Sequence, residues 1–289
     1  MDKPQSYSNA LAFKAALEQR LKNEANKLGR PYPVLRKLVA FERLLARVFN
    51  QPGAGWALKG GYALELRLGQ SRTTQDVDLV LNDPNLLKAG KDVEPQLFRS
   101  LLQMLISKDL GDFFAFRLDE PTPLKAATIA GSRIPVEALI GGVHFENFKI
   151  DVALAETDPA PTEKLTRSSW LAFAGFAQVD ILAIPESLQF AEKLHAYTFP
   201  WSGRENTREK DLLDMVIMIQ RGILPQETHA RIMAVFKARN THDVPSVLES
   251  PPAAWGPVFN RIAKESGFVG TIDEAFGILA RFYESLFKI

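Results

Sequence analysis

Apolar positions recur at helical spacing through the first fifty residues. Leu11, Phe13, Ala16, Leu17 and Leu21 alternate with Lys14, Arg20, Lys22 and Lys27, which predicts an amphipathic helix over 10–28. Arg30-Pro31-Tyr32-Pro33 interrupts it, because a proline disfavours helical geometry at the residue before it. Leu38, Phe41, Leu44, Leu45 and Val48 then form the stripe of a second helix over 34–49. Beyond the turn at 51–55 the period changes. Trp56-Ala57-Leu58 reads as a short strand, Lys59-Gly60-Gly61 as a turn, and 62–68 as a short helix. Asp76-Val77-Asp78-Leu79-Val80-Leu81 alternates as a strand, and Asn82-Asp83-Pro84 stops it. Residues 95–108 are helical in period, whereas 113–118, 133–139 and 144–154 read as strands, the last two joined through Gly141-Gly142. From about Pro185 the periodic segments are helical: 186–199, 208–221, 226–239, 253–265 and 272–287. The pattern predicts an α/β (α+β) lobe with an antiparallel or mixed sheet, followed by an all-helical C-terminal lobe. Asp158-Pro159-Ala160-Pro161-Thr162 sets the expected boundary, giving domains 1–160 and 161–289.

Composition narrows the class without naming a chemistry. At 289 residues, 46% hydrophobic and 24% charged, the chain is of globular type. It has no cysteine, so disulfides, thiolate metal sites and a cysteine nucleophile are excluded. No stretch reaches 18 uninterrupted apolar residues, and residues 1–9 lack the apolar core of a signal peptide. A cytoplasmic protein without a membrane association is expected. The net charge of +1 conceals an uneven distribution: +6 over residues 1–50, −4 over 51–185 and −1 over 186–289. A basic helical pair beside an acidic lobe suits a polyanionic acceptor, although helix surfaces are often lysine-rich.

Asp76 and Asp78 are one residue apart, so on a strand their carboxylates project from one face. Two adjacent like charges call for a cation, and a hard divalent ion suits oxygen ligands. Upstream, Gly60-Gly61 opens a helix, where backbone N–H groups and the helix dipole favour a phosphate. Alone, a D-x-D is commonly a solvated strand face and a glycine pair a tight turn. Together they supply what holds a nucleoside triphosphate with magnesium.

Lys59-Gly60-Gly61-Tyr62-Ala63-Leu64-Glu65-Leu66, followed by Arg72-Thr73-Thr74-Gln75-Asp76-Val77-Asp78, resembles the first motif of nucleotidyltransferases related to DNA polymerase beta. More narrowly, it is similar to the AbiEii/AbiGii toxin branch, which includes the MenT toxins. Ala191-Glu192-Lys193-Leu194-His195-Ala196 and Arg208-Glu209-Lys210-Asp211-Leu212-Leu213-Asp214 resemble that branch's second and third blocks. The resemblance implies a third metal-binding acid, met by Asp151 in the alternating run 148–154, which completes the site and acts as base. It implies phosphate contacts from Lys59, Gly60, Gly61 and Arg72, a triphosphate clamp at Lys193, and Asp211 orienting that lysine. On a helix Asp211 and Asp214 share a face. Mg2+ (or Mn2+) would be the cofactor and an NTP the substrate. The implied activity is that of a toxin of a toxin–antitoxin pair, transferring NMP to an RNA acceptor at the tRNA 3′ end and held in check by a cognate antitoxin. Thr74, two residues before Asp76, is a candidate regulatory phosphosite, since a phosphoryl group there would set roughly two negative charges against the nucleotide. Tyr62 departs from the Ser or Thr frequent in the superfamily. His195 reads as a packing residue rather than a base. Rival readings are transfer to a protein or small-molecule (antibiotic) hydroxyl, and a non-catalytic binding module.

Overall fold

A computed structural model describes residues 7–50, 53, 55–69, 73–89, 93–124, 130–156, 161–166, 169–176, 179–201 and 205–287. Arg72 and most of the expected boundary at 158–162 lie outside the described residues. The chain divides into two compact units, Met1–Arg67 with Thr74–Ala183, and Leu68–Thr73 with Ile184–Ile289.

The first unit begins with α1 (Ala10–Leu28) and α2 (Tyr32–Val48). The Asn9 side chain accepts a 2.8 Å hydrogen bond from the Ala12 N–H and fixes the start of α1. Gly29 ends it at φ +62°, a left-handed conformation that closes the last turn. Then follow β1 (Trp56–Lys59), α3 (Gly60–Leu68), β2 (Asp76–Leu81), α4 (Pro84–Ala89), α5 (Pro95–Ile106), β3 (Phe114–Leu118), β4 (Thr122–Pro123), β5 (Gly131–Ile140), β6 (Val143–Leu154), β7 (Glu163–Thr166) and β8 (Asp180–Ala183). These strands form one mixed sheet in the order β3-β5-β6-β2-β1-β8-β7, with β4 paired to β5. The β2–β6 and β1–β8 pairs are parallel; the others are antiparallel.

One face of the sheet is covered. Val77 and Leu79 of β2, Ile150 and Val152 of β6 and Ile134 of β5 share a buried cluster with Phe13 and Leu17 of α1 and Phe41, Leu44 and Leu45 of α2. Each such side chain stabilises the fold by ~1.5–3 kcal/mol when fully buried. The alternation that hides Val77 and Leu79 leaves Asp76 and Asp78 on the opposite face.

The positive N-terminal segment is largely committed within the fold. Arg43 and Arg47 are buried around the fully buried Asp112, with Arg47 Nη2 at 2.7 Å from Oδ1 and Arg43 Nε at 2.7 Å from Oδ2. Burial would raise the Asp112 carboxyl, but the hydrogen bond from Arg47 and the charges of Arg43 and Arg47 hold it below the usual range. Arg30 reaches Glu65 of α3 at 2.7 Å, and Lys14 pairs with Glu18. Of the ten basic residues in 1–50, Lys14, Arg30, Arg43 and Arg47 are thus tied internally.

The second unit holds α6 (Glu186–Thr198), α7 (Glu209–Gln220), α8 (Pro225–Arg239), α9 (Gly256–Ser266) and α10 (Ile272–Leu286). Its interior includes Phe190, Leu194, Leu212, Leu213, Met215, Ile232, Phe236, Leu279 and Tyr283. A capping box between Thr271 and Glu274 starts α10. No described helix is long and apolar enough to cross a membrane.

The structure corrects where the helical part begins. The expected domain 161–289 is not helical throughout, because β7 and β8 carry the sheet on to Ala183. Both strands are four residues long, too short to display a period, and β7 lies at the sheet edge.

Candidate active site

Strand pairing assembles the site. Because β2 and β6 run parallel with Asp78 opposite Asp151, those two carboxylates stand on the same sheet face, about 5 Å apart at the backbone. Asp76 lies one pleat along β2, opposite Lys149. On the other side of β2, Asp78 is opposite Lys59 of β1. On the far side of β6, Asp151 is opposite Arg133 of β5. A single row therefore crosses four strands as Arg133, Asp151, Asp78, Lys59. The three predicted acids are brought together on one face, with Lys59 beside them.

The glycine pair has a specific use here. Strand β1 passes into α3 without intervening turn residues, and Gly60 makes the junction at φ +68°, which L side chains rarely adopt. A Cβ on Gly60 would overlap the Asp78 carboxylate, lying only 2.5 Å from its Cγ. The room at Gly60 is thus filled by the second acid, at the N-terminus of α3, where negative charge is favoured. Gly61 is the next residue of that helix. Tyr62 is accounted for by packing: its ring is buried edge-on against Phe41, and its hydroxyl points to the Leu38 carbonyl.

Asp151 is held by a residue absent from the expected set. Arg133 donates from Nε to Asp151 Oδ1 at 2.7 Å and from Nη2 to Oδ2 at 2.6 Å, a bidentate charge-assisted pair. The hydrogen bond to Asp151, and then the charges of Asp151, Asp76 and Asp78, raise the Arg133 pKa further. For a divalent cation, Asp76 and Asp78 offer hard oxygen donors on one face; both oxygens of Asp151 are already engaged. Among the described residues no group of three His, Asp or Glu side chains is arranged to hold a metal ion.

Thr74 is 6% exposed, and its hydroxyl lies buried without a hydrogen-bond partner. Burial at this position works against access by a modifying enzyme.

In the second unit, Lys193 of α6 lies between two carboxylates of α7. Its Nζ is 2.9 Å from Asp211 Oδ1 and 2.8 Å from Asp214 Oδ2, and Asp214 is fully buried. Arg208 also reaches Asp211, at 3.4 Å. The expected Lys193–Asp211 bond is present, and Asp214 is the deeper of the two partners.

His195 is buried in the same unit. Arg239 donates to its Nδ1 at 3.3 Å, which leaves Nε2 to donate to Thr241 at 2.9 Å. Thr241 contacts His242 Nδ1 and His242 Nε2 contacts Thr198, whose hydroxyl donates to the Leu194 carbonyl. Burial, then the charges of Arg239 and His242, push His195 down to about 3. It is a neutral link in a hydrogen-bonded chain, as its reading as a packing residue expects.

Comparison with known proteins gives a consistent picture. The profile of the family described as "Nucleotidyl transferase AbiEii toxin, Type IV TA system" matches residues 43–268, well over half of the chain. No curated protein sequence matches it. Among solved structures, MenT4, a nucleotidyltransferase toxin from Mycobacterium tuberculosis, is similar over 94% of this chain and 97% of its own, with a TM-score of 0.55 and 17% identity. A putative nucleotidyltransferase from H. pylori is similar over 89% and 95%, with a TM-score of 0.45 and 13% identity. The likeness to MenT4 is one of fold; the family match spans the blocks carrying Gly60, Asp76, Asp78, Asp151, Lys193 and Asp211. The chain belongs to the AbiEii family of nucleotidyltransferase toxins of type IV toxin–antitoxin systems.

Proposed function

We propose that this nucleotidyltransferase is metal-dependent and transfers NMP from an NTP to an RNA hydroxyl, at the 3′ end of tRNA, with Asp76 and Asp78 as the metal-binding pair. The observation that carries the reading is the placement of both carboxylates on one face of β2, with Asp78 seated against Gly60 at the start of α3. An acceptor oxygen attacks the α-phosphorus, the new P–O bond forms as the bond to the β-phosphate breaks, and pyrophosphate leaves. Mg2+ or Mn2+ would supply positive charge to the phosphate under attack. Lys59 and the N–H groups at Gly60 and Gly61 are suited to phosphate oxygens, and Arg72 precedes the acids in the same motif. Asp151 is assigned to the site, with its proposed role as base subordinate to its bond with Arg133. Lys193, oriented by Asp211 and Asp214, is the proposed triphosphate clamp.

The RNA acceptor rests on the family resemblance, since the basic N-terminal helices spend much of their charge internally. The family description pairs such a toxin with an antitoxin. Modification of Thr74 is the proposed route of control, and Thr74→Glu is expected to lower transfer. The deciding assay incubates the protein with total RNA and each α-labelled NTP in turn, with and without Mg2+. Label on tRNA only with Mg2+ is expected. Label on protein or on a small molecule instead would overturn the acceptor.

A further inference from the structure

Four charged residues stand in cross-strand register across the sheet: Arg133, Asp151, Asp78 and Lys59, from β5, β6, β2 and β1. Two carboxylates directly opposite each other on neighbouring strands repel. In a site where the acids alone provided ligands, that repulsion would be relieved only by cations from solution. Here the outer carboxylate is already neutralised. Arg133 binds both oxygens of Asp151, at 2.7 and 2.6 Å, with the fork geometry that only a guanidinium offers. The guanidinium retains its charge throughout the physiological range, so this cation is permanent. Its side chain is 43% exposed, on the open face of the sheet rather than in the core.

We propose that Arg133 is a positioning residue that takes the place of a second metal ion: it fixes Asp151, keeps that carboxylate from metal ligation, and limits the site to one divalent ion on Asp76 and Asp78. The inference rests on the metal-dependent reading given above. A second divalent ion at Asp151 would have to break two charge-assisted bonds and sit beside a guanidinium.

The test is Mn2+ binding to the whole protein, followed by electron paramagnetic resonance. Wild type is expected to bind one ion per chain and to show no Mn–Mn dipolar coupling at saturation. Arg133→Gln is expected to gain a second ion, with the coupling that two neighbouring ions produce, and Arg133→Gln/Asp151→Asn to return to one. Arg133→Lys, which keeps the charge, is expected to stay at one. Two coupled ions in wild type would overturn the proposal without recourse to any variant, as would a single ion in a folded Arg133→Gln protein. Asp78→Asn separates this outcome from failure of the underlying reading. If that variant keeps the first ion at unchanged affinity, the metal-dependent reading falls and the proposal with it. If it loses the ion while Arg133→Gln gains none, only the role of Arg133 falls.

Discussion

At the scale of single residues, the site depends on what Gly60 lacks. Its φ of +68° and its contact with Asp78 are two separate demands, and alanine meets neither. Gly60→Ala is therefore expected to displace the Asp78 carboxylate and to lower nucleotide transfer by ~100-fold, the scale of removing one electrostatic group from a reacting centre. Steady-state transfer of labelled nucleotide checks this, and activity within a factor of three of wild type would contradict it. Lys193 allows a second prediction. A charge-assisted hydrogen bond contributes ~1.5–3 kcal/mol, so Lys193→Met is expected to weaken NTP binding by ~10–100-fold, read by calorimetry. Gly60, Asp76 and Asp78 were legible in the sequence because spacing along one chain segment decides them: a glycine pair before a helix, and two acids at a period of two. Asp214 was visible on the same helix face as Asp211, but that Lys193 is shared between them depends on how α6 packs on α7.

At the scale of elements, legibility followed length, except for the four-residue β1, which was read between the turn at 51–55 and the glycine pair. The helices α1, α2, α5 and α10 and the strands β2, β5 and β6 are long enough to display a period, and their expected limits agree with the structure to within a few residues. The four-residue β7 and β8 are not, so the sheet extended past the expected boundary. Arg133 was hidden for a different reason. A regular hairpin closed by Ile140 and Val143 would set Arg133 opposite Ile150, on the core side of the pairing. The irregularity between Ala138 and Leu139 shifts the register by one and sets it opposite Asp151. Nothing in the local sequence announces that shift. The tie between α2 and the start of β3 gives the prediction at this scale. Asp112→Ala leaves Arg43 and Arg47 buried together without their shared anion, and is expected to destabilise the fold by ~3–5 kcal/mol in urea unfolding. A loss under ~1 kcal/mol would show that the cluster is better solvated than its burial indicates.

At the scale of the whole molecule, the near-zero net charge describes neither its electrostatics nor its response to pH. The +6 of the first fifty residues is drawn down by internal pairs at Arg30, Arg43 and Arg47, so it is no measure of an RNA-facing surface. His195 contributes to the acid side of the stability profile. Its folded pKa, pushed down to about 3, lies below the ordinary value of 6.5, so the unfolded chain binds the proton more readily. The stability it contributes is complete above about pH 6.5 and is lost as pH falls toward 3, by up to ~1.4 kcal/mol per pH unit. His242, also lowered by burial, acts in the same direction. Urea midpoints are expected to drop between pH 7.5 and 5, and His195→Gln to flatten that decline; an unchanged slope would assign it to other groups.

The central claim is that the two acids of β2 bind the ion that makes transfer possible. It is tested most directly by single-turnover transfer of α-labelled NTP to tRNA, with Mn2+ titrated against wild type and Asp78→Asn. Wild type is expected to show saturable, metal-dependent labelling with release of pyrophosphate, and folded Asp78→Asn to fall by ~1,000-fold or more at every Mn2+ concentration. Equal labelling by the two proteins, or labelling by wild type that persists in excess chelator, would contradict the account.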